Sequence, residues 1–256
     1  QEWSVIKYSL AVIFFLSICG QVLFPLNLYI ALQYTSPLNA AIYLSATPAL
    51  VLLVNKIIFK DDISRANIAG VILSSVGVLY LIIKGNINNI AQLDNLNKGD
   101  FWAMGSAASW ALYCSCLRIK DKRISGNAFV TVSSIIGALI LLPFFIVSIY
   151  KNTGEFASLY TNHNMIIGLA YLIIFPSWLA YLFWSKGIAV VGATKGEIYT
   201  HLVPLFGGIF GIVFLKDTFK FYHLVSAILI VAGIFLCSKH KKSKASQDLV
   251  MLTEKN

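Results

Sequence analysis

The sequence predicts an all-α fold, a polytopic bundle of transmembrane helices. Of its 256 residues, 58% are hydrophobic and only 12% are charged, a larger apolar share than a soluble domain of this length can bury. No charged residue occurs between Tyr8 and Asn55, whereas about 20 apolar residues are enough to cross the hydrocarbon of a bilayer. The lipid bilayer is therefore the first partner that the sequence predicts.

Hydropathy predicts eight spans separated by polar connectors. They are 6–31, 38–59, 66–83, 101–117, 127–149, 165–185, 196–215 and 221–238. The first two are divided by the polar segment 33–37, in which Pro37 suits the first turn of the following helix. Beyond Cys237 the chain is basic and then polar, so residues 239–256 are expected to form a disordered cytoplasmic tail.

The basic residues predict the orientation, because positively charged loops stay on the cytoplasmic side. With the basic tail inside, the cytoplasmic connectors hold Lys7, Lys56, Lys60, Arg65, Arg118, Lys120, Lys122, Arg123, Lys186 and Lys195. The outer connectors then hold only Lys84, Lys98, Lys151, Lys216 and Lys220. This bias predicts cytoplasmic termini in a plasma membrane, the inner membrane of a bacterium. Because the net charge of +9 is dispersed among membrane connectors, no nucleic-acid partner is expected.

No motif predicts a metal site, a cofactor or catalysis. The four cysteines, Cys19, Cys114, Cys116 and Cys237, fall within predicted spans, where thiols behave as small apolar side chains. Cys114 and Cys116 are two residues apart and point to different helix faces, which disfavours a shared metal. The sequence has no G-x-x-x-x-G-K-[ST], H-E-x-x-H or G-x-S-x-G string, so nothing indicates an ATP-driven pump, a metalloprotease or a hydrolase.

An internal repeat is visible when the sequence is shifted by 156 positions. Residues 38–61 then align without a gap with residues 194–217. The coincidences are Ile42-Tyr43 with Ile198-Tyr199, Pro48 with Pro204, Lys60-Asp61 with Lys216-Asp217, Ile72-Leu73 with Ile228-Leu229, and Gly77 with Gly233. Five predicted spans separate a position from its copy, so the second copy is expected to be inverted in the membrane. Inverted repeats are typical of secondary transporters.

Three segments resemble the EamA-type members of the drug/metabolite transporter (DMT) superfamily. They are SPLNAAIYLSATPALVLLVNKIIFKDD, KGDFWAMGSAASWALYCSCLR and AYLFWSKGIAVVGATKGEIYTHLVPLFGGIFGIVFLKD. The resemblance implies ten helices in two inverted five-helix repeats. Residues 1–83 then correspond to the last three helices of the first repeat, 84–100 to a connector and 101–238 to the whole second repeat. The first two helices of the family are therefore expected to be missing from this chain, and Asp217 stands where the family usually has Glu.

The resemblance also implies a function. It predicts a secondary transporter, an exporter of a small metabolite such as an amino acid, that works by alternating access. The substrate is thus expected to be a small molecule, while its identity, the coupling ion and the oligomeric state stay open. Two alternatives remain, a membrane-embedded enzyme or lipid-handling protein and an inactive truncated remnant.

Six residues are candidates for substrate binding. They are Tyr43, Trp110, Tyr113, Tyr181, Tyr199 and His201. The resemblance places their spans around a central cavity, and they combine apolar surface with polar atoms that can hold a ligand. Tyr43 and Tyr199 are also repeat partners, although ordinary hydrogen bonds between helices would explain them equally well.

Four further roles follow from position in the spans. Glu197 and His201 are four residues apart, one α-helical turn, and are candidates for proton coupling; an interfacial glutamate and a hydrogen-bonded histidine are the alternative. Pro48 and Pro204 are expected to act as hinges, because proline interrupts the hydrogen bonding of a helix. A static kink is the alternative for both prolines.

Overall fold

The structure, a computed structural model, describes residues 2–86, 88, 97–151, 163–215 and 218–238, and within these ranges it contains helices and no strand. Most of the predicted 84–100 connector, the pair Lys216-Asp217 and the predicted tail 239–256 lie outside the described residues. The all-α helix bundle predicted from composition is confirmed. The helices are α1 (Glu2–Tyr8), α2 (Leu10–Ser17), α3 (Phe24–Tyr34), α4 (Pro37–Ser45), α5 (Thr47–Ile58), α6 (Arg65–Ile82), α7 (Lys98–Cys116), α8 (Gly126–Lys151), α9 (His163–Leu172), α10 (Ala180–Val191), α11 (Ala193–Glu197), α12 (Leu202–Leu215) and α13 (Phe221–Ser238).

Several helices begin at residues that satisfy the free amides of a first turn. Ser36 and Ser64 accept hydrogen bonds from the backbone amides of Asn39 and Asn67 at the starts of α4 and α6. Asn97 and Asp100 form a capping box at the start of α7, which fixes where that helix begins. The polar connectors recognised in the sequence thus supply the helix caps.

Six helical segments in the described part of the chain are long and apolar enough to cross a membrane. They are Leu10–Tyr34, Asn39–Ile58, Arg65–Ile82, Gly126–Tyr150, His163–Val191 and Phe221–Ser238. The other two predicted spans are helical but differ in character. α7 is 19 residues long but rich in Gly, Ser and Ala, and residues 196–215 are divided by a 3₁₀ turn over Ile198–His201.

Two of the long segments contain a stretch of π-helix, and both stretches adjoin a proline. One runs over Ile18–Leu23, just before Pro25, and the other over Ile173–Leu179 around Pro176. Proline has no amide hydrogen and its ring collides with the carbonyl one turn earlier. Widening the helix locally accommodates that collision and leaves carbonyl oxygens free for other donors.

The bundle has two ends, and the connectors lie at one end or the other. At one end, here called the Arg118 end, hydrogen bonds join distant connectors and helix ends. Three are between side chains, Ser125 to Glu2, Arg118 to Asp61 and Asn55 to Thr194, and in the fourth Lys195 donates to the backbone oxygen of Ser238. At the other, the Asp100 end, Thr35 donates to Asp100 and Gly85 lies against Tyr222. The connectors, terminus and helix ends that meet at the Arg118 end are those predicted to share one side of the membrane.

The repeat-related helices α6 and α13 pack against each other in antiparallel directions. A Cβ atom on Gly70 would lie 2.6 Å from the carbonyl oxygen of Gly233, and one on Gly233 would lie 2.7 Å from Ser74. Glycine is therefore needed for this backbone approach. Gly77 in turn contacts Ile230. In the repeat, Ser74 corresponds to Ile230 and Gly77 corresponds to Gly233. The contacts Ser74–Gly233 and Ile230–Gly77 are therefore equivalent, as expected for two copies related by a two-fold axis.

The core lies between α2, α7, α8 and α10. Tyr113, Phe129 and Ile13 are among its largest wholly buried side chains. In contrast, only 11% of an apolar 18-residue stretch of Gly126–Tyr150 is buried inside the protein, and only 6% of one in His163–Val191. Apolar side chains that meet no protein suit the hydrocarbon of a bilayer, so these two segments present lipid-facing surfaces.

Candidate functional site

An aromatic cluster lies where α3, α7 and α10 meet. Its members are Phe24, Trp110, Tyr113, Tyr181 and Trp184. Trp110 is central, with ring centroids 4.5 Å from Phe24, 5.2 Å from Tyr113, 5.7 Å from Tyr181 and 5.8 Å from Trp184. The structure therefore brings together three of the six predicted binding residues, Trp110, Tyr113 and Tyr181.

Polar partners fix the aromatic side chains of this cluster. The hydroxyl of Tyr113 lies 3.3 Å from the Ser185 hydroxyl, and the Tyr113 ring fills the space that a Cβ on Gly20 would occupy. The hydroxyl of Tyr181 donates to the carbonyl oxygen of Gly20. These hydrogen bonds fix the orientation of the buried Tyr113 and the partly buried Tyr181.

Glu197 lies against this cluster with no solvent exposure. The indole nitrogen of Trp110 donates to Oε1 of Glu197 at 3.2 Å, and the Cys114 thiol adjoins the same carboxyl. Oε2 has no hydrogen-bond partner among the described residues. A buried carboxyl oxygen without a partner is costly, and such groups mark functional sites.

His201 lies in a separate polar contact at the centre of the bundle. Its Nδ1 is 2.7 Å from Oγ of Ser74, and its Nε2 is 3.0 Å from the carbonyl oxygen of Ser45. Because a carbonyl only accepts, Nε2 carries a hydrogen. The Ser74 hydroxyl also reaches the carbonyl of Gly70 at 2.9 Å. By rotating between the two acceptors, Ser74 can donate to a neutral imidazole or accept from a protonated one.

The contact between Ser45 and His201 joins two helix breaks. α4 ends at Ser45 and α5 begins at Thr47, while the 3₁₀ turn Ile198–His201 ends where α12 begins. Ser45 and His201 are separated by 156 residues, the repeat shift, so each contacts the position that corresponds to it in the predicted repeat. Discontinuous helices at a repeat interface are the places where secondary transporters build their sites.

The predicted hinges lie directly after these breaks. Pro48 is the second residue of α5 and Pro204 the third of α12, positions in a first turn where the missing amide costs no hydrogen bond. Neither proline kinks a continuous helix in its middle. Each instead starts a new helical segment, and a hinge role for them stays a prediction.

Glu197 and His201 do not face each other. They were predicted to share one face on the assumption of α-helical geometry, in which four residues turn the chain by about 40° beyond a full circle. The intervening turn is 3₁₀, and three residues per turn place the fourth side chain about 120° away. Glu197 accordingly contacts α7, whereas His201 contacts α6 and the end of α4.

Tyr43 and Tyr199 lie apart from the aromatic cluster. Tyr43 is half-buried and packs with the small alanines Ala31, Ala40 and Ala103 near the Asp100 end. Tyr199 is 43% exposed, and its hydroxyl lies 3.4 Å from that of Ser238. In this conformation the six predicted binding residues therefore do not line one cavity.

Ser45, Ser74 and Cys114 are polar partners that were not predicted as site residues. A signal was present for Ser45 alone, since it is the repeat partner of His201. Ser74 and Cys114 belong to helices whose rotation is set by tertiary packing. No spacing in the sequence indicates which of many serines and cysteines in spans will meet a buried histidine or glutamate.

Fold and site together define a multi-pass integral membrane protein with buried ionisable groups beside helix breaks. Comparison with known proteins gives the family. The model of the EamA-like transporter family matches residues 1–83 and 97–239. The chain belongs to this family.

Similar proteins are known by sequence and by structure. The uncharacterized transporter YyaM of Bacillus subtilis is 30% identical over 214 residues, which cover 82% of this chain and 67% of YyaM. A Salmonella typhimurium protein named "Probable amino-acid metabolite efflux pump" is 28% identical over 82% of this chain and 70% of its own. One solved crystal structure shares the fold with a TM-score of 0.70 at 16% identity, covering 92% of this chain and 84% of that one.

Proposed function

We propose that the protein is a secondary transporter that exports a small metabolite, such as an amino acid, by alternating access. The observation that carries this proposal is the contact between Ser45 and His201, where two repeat-related helix breaks meet on the axis between inverted copies. A central site at such an axis opens to either side of the membrane when the copies exchange conformations. The proposal assigns no enzyme activity to the chain.

The aromatic cluster and Glu197 are the proposed substrate contacts. Trp110 presents an indole to the centre of the cluster and holds the Glu197 carboxyl at 3.2 Å. The free Oε2 of Glu197 is an acceptor for an amino group or another donor of the substrate. Aromatic walls with few polar groups are typical of small-molecule sites. Tyr43 and Tyr199 join the site only in a conformation other than this one.

Glu197 and His201 are the proposed proton-coupling residues, acting at two separate positions. His201 contacts Ser74 and Ser45, and no charged group faces it in the described structure. Because Ser74 can reorient its hydroxyl, His201 keeps two hydrogen bonds in either protonation state. Proton uptake there is then compatible with this fold, as coupling to a proton gradient requires.

The proposed orientation puts the Arg118 end in the cytoplasm of a bacterial inner membrane, with the C-terminus inside. The basic side chains of Arg118, Lys120 and Arg123 gather at that end, as the positive-inside rule requires. The proposed domain division is a first repeat over 1–83, a connector over 84–100, a second repeat over 101–238 and a tail over 239–256.

Export from proteoliposomes tests this function. Vesicles that are loaded with the common amino acids and contain the purified protein should release one or a few of these amino acids faster than loaded vesicles without protein. Mass spectrometry measures the release. Trp110→Ala should slow release most, since it removes the centre of the cluster. Tyr199→Phe and His201→Ala are compared at matched expression and thermal stability. If all three variants release substrate at the parental rate, the proposed site is wrong.

A further inference from the structure

A polar network closes the Arg118 end of the bundle. It consists of Asn55, Asp61, Arg118 and Thr194. Arg118 donates from Nη1 to Oδ1 of Asp61 at 3.1 Å and from Nη2 to Oδ2 at 2.8 Å. Nη2 also donates to Oδ1 of Asn55 at 3.0 Å, and Nδ2 of Asn55 donates to Thr194 at 2.8 Å. The network therefore links four side chains through one arginine and one amide.

The geometry at Arg118 depends on its planar, forked head. Two parallel bonds to one carboxylate need the guanidinium, and a lysine cannot reproduce them. The same head lies 4.3 Å above the ring of Phe59. Asn55 is wholly buried and uses both its oxygen and its nitrogen, whereas the Arg118 and Asp61 side chains remain about one-third exposed at 37% and 33%.

The network joins the two repeats. Asn55, Phe59 and Asp61 belong to α5 and the connector after it, in the first repeat. Arg118 follows α7 and Thr194 lies in α11, both in the second. Thr194 is three residues before Glu197, and Arg118 is four residues after Cys114, about 6 Å along a helix. These contacts thus lie between the candidate site and the solvent at the Arg118 end.

The repeat retains only part of this network. Shifting by 156 residues takes Asp61 to Asp217, which lies outside the described residues, but it takes Asn55 to Gly211 and Phe59 to Leu215, neither of which has a polar side chain. The Asn55 part of the network therefore has no counterpart in the second copy, and a contact present at one end only favours the conformation in which that end is closed. Alternating access requires such a contact to break when the site opens on that side.

We propose that Arg118 is a gate residue, which holds the Arg118 end closed through Asp61 and Asn55 and must release both for the site to open there. This inference rests on the proposed transport function. Arg118 acts through the packing of α5 against α7 and α11, so its removal shifts the population of conformations and not the affinity of the site itself.

Accessibility of Cys114 measures this shift without any substrate. Cys114 is wholly buried beside Glu197, and replacing Cys19, Cys116 and Cys237 by alanine leaves it as the one thiol. A membrane-impermeant maleimide is applied to right-side-out and to inverted vesicles. In Arg118→Lys and Asp61→Asn, labelling from the Arg118 side should accelerate about tenfold or more. The labelling rate follows the fraction of protein that is open at this end, and we expect the substitutions to raise that fraction about tenfold. Labelling from the other side should not accelerate.

Arg123→Lys is the matched control. Arg123 is also a surface arginine at this end and donates to Asp121 at 2.7 Å, but both residues lie in one connector. Its substitution should leave Cys114 labelling unchanged. The double variant Arg118→Asp with Asp61→Arg should return labelling toward the parental rate, because it restores the ion pair in reverse.

Parental labelling in both Arg118→Lys and Asp61→Asn would overturn the gate. So would faster labelling from both sides with a lowered melting temperature, since that result means general loosening. The outcome is separable from that of the transport proposal. If the protein exports no metabolite but shows the one-sided increase in Cys114 labelling, the gate is supported and the proposed function is wrong. If it exports normally without that increase, the function is supported and the gate is wrong.

Discussion

The hydroxyl of Tyr181 donates to the carbonyl oxygen of Gly20, an oxygen that its own helix cannot satisfy. In the π-helical stretch Ile18–Leu23, the amide of Phe24 already bonds to Cys19, and the next residue, Pro25, has no amide hydrogen. Gly20 is therefore an orphaned acceptor created by a proline five residues later. Tyr181 supplies the missing donor from the other repeat.

Tyr181→Phe should consequently lower the free energy of unfolding by about 1 kcal/mol or somewhat more, the usual cost of losing one buried hydrogen bond. The melting temperature of the protein in detergent measures this. Tyr171→Phe is the control, because Tyr171 is exposed on α9 and should tolerate the change. Equal melting temperatures for the two variants would show that Gly20 finds another donor.

The α6–α13 crossing should be intolerant of any side chain at its glycines. Gly70→Ala or Gly233→Ala places a methyl group less than 3 Å from backbone atoms, and overpacking of this kind costs about 1–3 kcal/mol. Gly187→Ala is the control, since its new Cβ would meet nothing within 4 Å. Thermal unfolding should separate the first two variants from the third. A crossing that widens without loss of stability would contradict the expectation.

The Trp110–Glu197 hydrogen bond should matter for transport more than for folding. Trp110→Phe keeps an aromatic ring but removes the donor to Oε1 of Glu197, and the loss of one hydrogen bond costs about 0.5–1.5 kcal/mol. Release of substrate from proteoliposomes should fall several-fold, up to about tenfold, since about 1.4 kcal/mol corresponds to a factor of ten. Trp102→Phe, on the exposed side of α7, should transport normally. Parental release by Trp110→Phe would exclude the bond from the mechanism.

The pH dependence of transport should depend on His201. If its imidazole takes up a proton during the cycle, the release rate changes between about pH 5 and 8, where an unperturbed histidine titrates. His201→Ala should flatten this profile. His223→Ala is the control, because His223 lies near the start of α13 and contacts Lys220 and Phe219. A profile that keeps its shape in His201→Ala would assign the titration to another group.

Composition and hydropathy were sufficient for the helix bundle, since they record which residues must face lipid. The repeat shift found in the sequence also pairs the positions of Ser45 and His201, which are in contact, but the contact itself was not predicted. Local backbone geometry escaped the prediction. A proline shows that a helix is perturbed but not whether a π turn, a 3₁₀ turn or a break results.

That gap explains the outcome at the candidate site. On the segment that carries Tyr181, the π-helical stretch Ile173–Leu179 comes just before α10, and Trp178 within that stretch is 43% exposed. Tyr199 is likewise turned away by the 3₁₀ turn that contains it. Residues beyond the distorted turns, Tyr181 and Trp184, do reach the aromatic cluster. Tyr199, the predicted binding residue that lies within a distorted turn, is thus away from the aromatic cluster, and its role in binding stays a prediction.

The glycine crossing of α6 and α13 also constrains how the protein can move. One helix of the pair comes from each predicted repeat. Because their backbones pack closely at Gly70 and Gly233, the two helices form one rigid unit shared by both halves. Under the proposed alternating access, we therefore expect that neither half swings as an independent body. Conformational exchange is expected to arise by flexing within the halves, at Ala46 and in the turn Ile198–His201, while the pair of helices α6 and α13 stays fixed. Crosslinking α6 to α13 should for this reason leave transport intact, while crosslinking across either break should arrest it.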